Sequence, residues 1–230
     1  IDLLEELQEQ VVSGSVTGVD ILPQYGSNAF GDVFVFDRQD SNSVVRMGKH
    51  VLKQVTKEIR KQDEAFIVGR LRLSDKSPGG VIIGIYSKKS EEIYLELMVG
   101  GENALNTATF TYLTSDGQTS MVFEGLSLAD DRWHSIILHL KDLEKSENGI
   151  DLYVDCSLVA TDVTESPISQ HIPKKVWQAE FYLGQREPSG LFTFNGSLQG
   201  LHVVFGTDIN YVIESSQCAM LSDTNYISGS

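Results

Sequence analysis

Long apolar runs are missing from this chain. No stretch approaches the roughly 18 residues a membrane-spanning helix needs, so no membrane insertion is expected. Cysteine is scarce, with Cys156 and Cys218 the two present, and the absence of a Cys-x-x-Cys pair removes the usual zinc and dithiol spacings. No glycine-rich loop leads into a helix to cradle phosphate, and no serine sits in a nucleophile elbow. The histidines at 50, 134, 139, 171 and 202 lack ligand spacing, so no metal site is expected. Basic residues are also in deficit: 18 Lys and Arg stand against 32 Asp and Glu, for a formal net charge of −14. A surface of that sign repels nucleic acid and anionic membrane at long range. The segment starting at Ile1 has no basic, apolar and cleavage-site pattern of a secretory signal, as suits a mature secreted chain or a trimmed one.

What is present is a β-rich globular composition. At 41% hydrophobic and 22% charged, the 230 residues can bury a proper core. Short β-branched and aromatic runs alternate with turn residues throughout, which predicts an antiparallel sandwich. Strands are predicted over 31–37, 65–73, 80–87, 93–99, 107–114, 119–124, 133–140, 150–155, 180–183 and 192–205. Turns are marked by Ser115-Asp116-Gly117, Asn148-Gly149 and Pro188-Ser189-Gly190. No gap between strands hosts a crossover helix, so neighbouring strands should run antiparallel. A single domain over 1–221 is predicted, with 222–230 a flexible connection.

Helix is predicted over 3–10, with Asp2 placed to cap it, over 45–61, and at 207–215. In the second of these, Leu52, Val55 and Ile59 cluster on one face at about 100° per residue, and Arg46, Lys49, Lys53, Lys57, Arg60 and Lys61 occupy the other. Between Arg46 and Lys76 nine basic residues stand against four acidic ones, inside a chain that is acidic overall. A solvated helix face is the common origin of such a stripe. The purity of its sign points instead to an anion site, because sulfated polysaccharides need several cations spaced on a rigid surface. Arg70 and Arg72, alternating along the next predicted strand, would extend the patch.

Other constellations invite blander readings. Trp133-His134 after Asp130-Asp131 reads as a packed corner with a hydrogen-bonded imidazole rather than a metal or acid-base site. Glu92 and Glu96 could share a strand face, as a glycan-cleaving sandwich would require, but alternating exposed glutamates on a strand are commoner, and no catalytic residue is assigned. Cys156 and Cys218 are compatible with one disulfide, which would stabilise the fold by about 4 kcal/mol on the chain-entropy model. Asn195-Gly196-Ser197 is an N-glycosylation sequon.

Four segments together carry a family resemblance. Leu126-Ser127-Leu128-Ala129-Asp130-Asp131-Arg132-Trp133-His134 forms a turn-to-strand corner, and Leu152-Tyr153-Val154-Asp155-Cys156 a cysteine-bearing strand. Phe181-Tyr182-Leu183-Gly184-Gln185-Arg186 and Gly200-Leu201-His202-Val203-Val204-Phe205-Gly206-Thr207, followed by Cys218, form late and closing strands. With them the chain resembles the thrombospondin N-terminal domain, which is related to NEL-like proteins and collagen N-terminal domains. The resemblance implies an all-β, laminin-G-like or concanavalin-like jelly roll with short peripheral helices. It also implies a secreted extracellular-matrix glycoprotein whose domain has no cofactor and contacts heparan sulfate or heparin, integrins or other cell-surface receptors, and matrix proteins. Calcium-binding repeats and an oligomerising coiled coil, making the parent a homo-oligomer, would lie outside this chain. The alternative is a structural protein-protein interaction module without glycosaminoglycan binding.

Overall fold

A computed structural model of the chain describes residues 1–24, 31–37, 45–101, 106–147, 149–164, 166–186 and 192–216. Thirteen strands are described: β1 (Val19–Leu22), β2 (Val33–Phe36), β3 (Val45–Arg46), β4 (Ala65–Arg72), β5 (Gly79–Ser87), β6 (Ile93–Gly100), β7 (Ala108–Thr114), β8 (Gly117–Phe123), β9 (Trp133–Leu140), β10 (Gly149–Val154), β11 (Ser157–Val163), β12 (Ala179–Leu183) and β13 (Gly196–Phe205). With them are four helices: α1 (Leu4–Val12), α2 (Lys49–Ile59), α3 (Ile168–His171) and α4 (Ile209–Ser215).

The strands form two sheets, a seven-stranded one ordered β1-β2-β13-β4-β9-β10-β11 and a six-stranded one ordered β3-β12-β5-β6-β7-β8. Every named pair is antiparallel. The alternation that predicts the sandwich is visible in β4: Ala65, Ile67 and Leu71 enter the core between the sheets. The intervening Phe66 packs on the outside with Ile137 and Val212 beneath α4, so the first half of β4 is covered on both faces and reads as a continuous apolar run.

Several boundaries differ from the sequence reading. The helix expected over 45–61 begins at Lys49, because Val45 and Arg46 pair with Leu183 and Tyr182 as edge strand β3 and Gly48 caps the helix in an extended conformation, φ −62° and ψ 155°. The strand expected over 192–205 begins at Gly196, since Phe194 turns into the core. Strand β11 escapes a hydrophobic-pattern reading because it is an edge strand with Leu158, Val159 and Val163 exposed. It is joined to β10 by the two-residue turn Asp155-Cys156, both at positive φ (50° and 61°). That is the backbone of a type I′ hairpin, which ordinarily selects Asn-Gly. Here the Asp155 carboxylate instead accepts from the Ser135 amide at 2.9 Å and contacts the His134 ring. At the N-terminus Asp2 caps as expected, its carboxylate accepting from the Leu4 amide at 2.9 Å. The Asn148-Gly149 turn, the Pro188-Ser189-Gly190 turn, Cys218 and the connection 222–230 lie wholly or partly outside the described residues.

Candidate functional site

Helix α2 closes one side of the sandwich. Its stripe of Val51, Leu52, Val55 and Ile59 is buried, and the helix packs against β12 and a 3₁₀ turn at Val176–Gln178. That burial forces the opposite face into water. Lys49, Lys53 and Lys57 are all exposed there. Lys49 and Lys53 have no ion-pair partner among the described residues, while Lys57 Nζ lies 3.7 Å from a Glu58 oxygen. The Glu58 carboxyl is held below its usual range first by a hydrogen bond from Gln62 and then by Lys57 and Lys61. Lys61 is exposed just past the helix. Arg60 is half-buried and donates to the Pro173 carbonyl at 2.5 Å, tying the end of α2 to the segment that leads into the 3₁₀ turn.

The structure redistributes the remaining cations expected in the patch. Arg46 belongs to β3, where its guanidinium meets Glu180 at 2.6 Å. Arg70 and Arg72 lie on the outer face of the seven-stranded sheet, toward the end of β4 remote from α2 and roughly 15–25 Å along the strand from its start at the usual rise per residue. There Arg70 donates to Gln199 at 3.1 Å and its guanidinium lies 5.4 Å from the Trp133 ring centre. The structure therefore does not bring the two arginines together with the helical lysines.

A different set of groups adjoins α2. Trp177, in the 3₁₀ turn, exposes 53% of its surface. Lys89 Nζ and Lys175 Nζ stand 5.5 and 5.6 Å from its ring centre, within cation–π range. The neighbouring chain is held by the Lys88 amide donating to the Gln178 carbonyl at 2.9 Å. Lys88 Nζ also meets Glu180 at 3.4 Å, and the Tyr182 hydroxyl donates to the same carboxylate at 2.6 Å. These residues were visible in sequence as the doublets Lys88-Lys89 and Lys174-Lys175, the second just before Trp177. They stand far apart in the chain, and nothing local in either says that they meet.

His134 is a packed corner residue, as its sequence context implies, 8% exposed. Nδ1 lies 2.9 Å from Asp155 Oδ2 and Nε2 3.0 Å from Asp130 Oδ1. Both carboxylates accept only, so the ring bonds both when both its nitrogens carry protons. Its pKa is accordingly raised, first by the Asp155 bond and against the opposing effect of burial. Glu96 overturns the expectation of an exposed strand glutamate, being 0% exposed. It accepts from Arg186 at 2.8 Å and 2.5 Å and from the Tyr86 hydroxyl at 2.7 Å. Gly84 makes the room, because a Cβ there would collide with the Tyr86 ring. Cys156 carries no free thiol. Asn195 is half-buried, its amide donating to the Gly79 carbonyl at 3.0 Å.

No family model matches the chain. By architecture the domain is a laminin-G-like, concanavalin-like jelly roll. It superposes on the carbohydrate-binding module CBM40 of the Ruminococcus gnavus IT-sialidase, solved with α2,3 sialyllactose, with TM-score 0.53 and 15% identity over 76% of this chain and 92% of that one. It likewise matches a botulinum neurotoxin type C structure reported with ganglioside-dependent cell entry, with TM-score 0.52 and 13% identity over 88% of this chain and 46% of that one. By sequence the chain is similar to thrombospondins. It is 33% identical to bovine thrombospondin-4 over 138 residues, 60% of this chain and 14% of that protein. It is also 27% identical to mouse thrombospondin-3 over 161 residues, 70% of this chain and 16% of that protein. The chain thus spans about a seventh of the length of these relatives.

Proposed function

We propose that the domain is a non-catalytic extracellular-matrix recognition module that binds sulfated polysaccharide of the heparan sulfate class through α2 and the adjoining Trp177 turn. The observation that carries this reading is the exposed Trp177 ring between Lys89 and Lys175, beside a helix whose outward lysines face water. Cations match sulfate and carboxylate groups along a polymer, and an indole face packs against the apolar face of a sugar ring. The thrombospondin kinship and the carbohydrate-bound structural neighbour agree with it. Secretion, glycosylation at Asn195 and a Cys156–Cys218 staple belong to the same reading, as do matrix proteins and cell-surface receptors as further partners. In an oligomeric parent, modest affinity at one domain would be multiplied by tethering.

The test is elution from immobilised heparin in a salt gradient. Retention that falls steeply with salt, and is lost both in the triple variant Lys49→Glu, Lys53→Glu, Lys57→Glu and in Trp177→Ala, supports the proposal. Flow-through of the unaltered domain at physiological salt refutes it and favours the alternative, a protein-binding module meeting its partner at the exposed β11 edge.

A further inference from the structure

On the outer face of the seven-stranded sheet, between α4 and the strands beneath it, lies an open cleft of about 340 Å³. That volume is at the small end of the range for ligand clefts, about 300–1,000 Å³. Its floor comes from β4, β9 and β13 and its wall from α4. The hollow lies where β13 slips register against β4 between Gln199 and His202. Gly200, at φ 57°, sits in that irregularity and brings no side chain to fill it. Val68, Val204 and Val212 line the cleft with hydrocarbon, and the ring of Tyr211, 60% exposed, stands at its mouth. Such a lining favours a ligand with an apolar body over a free ion or a polyol.

The charges of the floor are already matched. Half-buried Arg70 donates to Gln199 at 3.1 Å and lies against the Trp133 ring, and the Asp155 carboxylate supports its charge against the opposing effect of burial. His202, at the rim, is shifted toward its neutral form, chiefly by burial. An anionic ligand would face Asp155 and a cationic one Arg70, a cost that an uncharged ligand avoids. One polar group is left over. Ser135 lies directly across the β4–β9 pair from Arg70, on the same sheet face, and is 1% exposed. Its amide donates to Asp155 Oδ1 and its carbonyl accepts from the Asp155 amide, both at 2.9 Å, but its hydroxyl has no hydrogen-bond partner among the described residues. A buried hydroxyl left unbonded costs free energy, which a hydrogen-bonding oxygen in the cleft would remove.

We infer that the cleft between α4 and the β4–β9–β13 surface binds a small uncharged amphiphile, its hydroxyl or carbonyl oxygen bonded to the Ser135 hydroxyl and its hydrocarbon lying along Val68, Val204 and Val212. This site is independent of the α2 surface and stands whether or not the domain binds polysaccharide.

The experiment titrates the isotope-labelled chain with three ligands sharing one body, 1-hexanol, hexanoate and hexylammonium, and with glucose, which has hydroxyls and no hydrocarbon body. Saturable shifts of the Val68, Ser135 and Val212 amides with hexanol are expected, with both charged analogues binding about tenfold more weakly or worse and glucose giving no saturable shift. Ser135→Ala should weaken hexanol binding about fivefold, one neutral hydrogen bond's worth, without lowering the melting temperature of the free domain, because the hydroxyl it removes is unbonded there. Asp155→Asn, which keeps a side chain tolerant of positive φ and removes the charge matched to Arg70, should strengthen hexanoate relative to hexanol. Absence of saturable shifts with hexanol, equal binding of either charged analogue or of glucose, or undiminished hexanol binding by the folded Ser135→Ala variant overturns the inference.

Discussion

Replacing His134 with Gln tests the charge state imposed on the corner between Asp130 and Asp155. Both ring nitrogens lie within 3.0 Å of carboxylate oxygens, so the folded protein favours imidazolium and raises the pKa of the ring above its ordinary value. When the proton leaves, one N–H···O bond becomes a contact between two lone pairs. A charge-assisted hydrogen bond contributes about 1.5–3 kcal/mol, and the Asp130 and Asp155 side chains are 33% and 44% exposed, so water re-solvates part of what is lost. We therefore expect about 1–2 kcal/mol. The sign follows from the direction of the shift: the contribution is complete below the unfolded histidine pKa of about 6.5 and disappears as pH rises through the higher folded value. Asp130, whose pKa is lowered, contributes in the opposite sense, its share being lost only in acid. In thermal melts the gap between the unaltered domain and His134→Gln should be widest near pH 5.5 and should shrink by several degrees toward pH 9, at about 2–4 °C per kcal/mol for a domain of this size. A gap that does not change across that range would refute the assignment of imidazolium.

Further predictions concern packing and the buried ion pair. Glu96→Leu alone strands Arg186 and should cost about 3–5 kcal/mol in denaturant unfolding, whereas Glu96→Leu with Arg186→Met should recover much of that loss; an additive double variant refutes the coupling. Gly80→Ala should cost about 2–4 kcal/mol, because Gly80 sits at φ +134° and a Cβ there would lie 2.6 Å from the Phe194 nitrogen; an unchanged unfolding midpoint would contradict it. Thr56→Val on α2 removes a hydroxyl that donates to the Leu52 carbonyl at 2.8 Å and should change stability by no more than one neutral hydrogen bond's worth, about 0.5–1.5 kcal/mol, leaving heparin elution unmoved, which separates the packing face of the helix from its basic face.

The sandwich was legible because alternation between buried and exposed positions is a local property. In β9 and β10 the apolar residues and their turns announce strand and spacing without reference to any partner, and the stripe of Leu52, Val55 and Ile59 likewise declares which side of α2 is buried. Where burial comes from more distant parts of the chain, the local pattern misleads. Glu96 looks like a solvated strand residue until Arg186, ninety positions away, enfolds it. β11 is hidden because its apolar residues Leu158, Val159 and Val163 are exposed on an edge strand and do not alternate onto one buried face.

The amino-acid order alone thus determined the fold class, the kinship and the basic face of α2, each written in short-range periodicity or in contiguous motifs. Tertiary structure decided which cations share a surface. It moved Arg46 to a sheet edge against Glu180, left Arg70 and Arg72 on the far part of β4, and brought Lys89 and Lys175 to Trp177. The physical reason is that charges act through space over several ångströms, and which residues come that close is set by strand pairing between distant segments, to which helical and strand periodicity is blind.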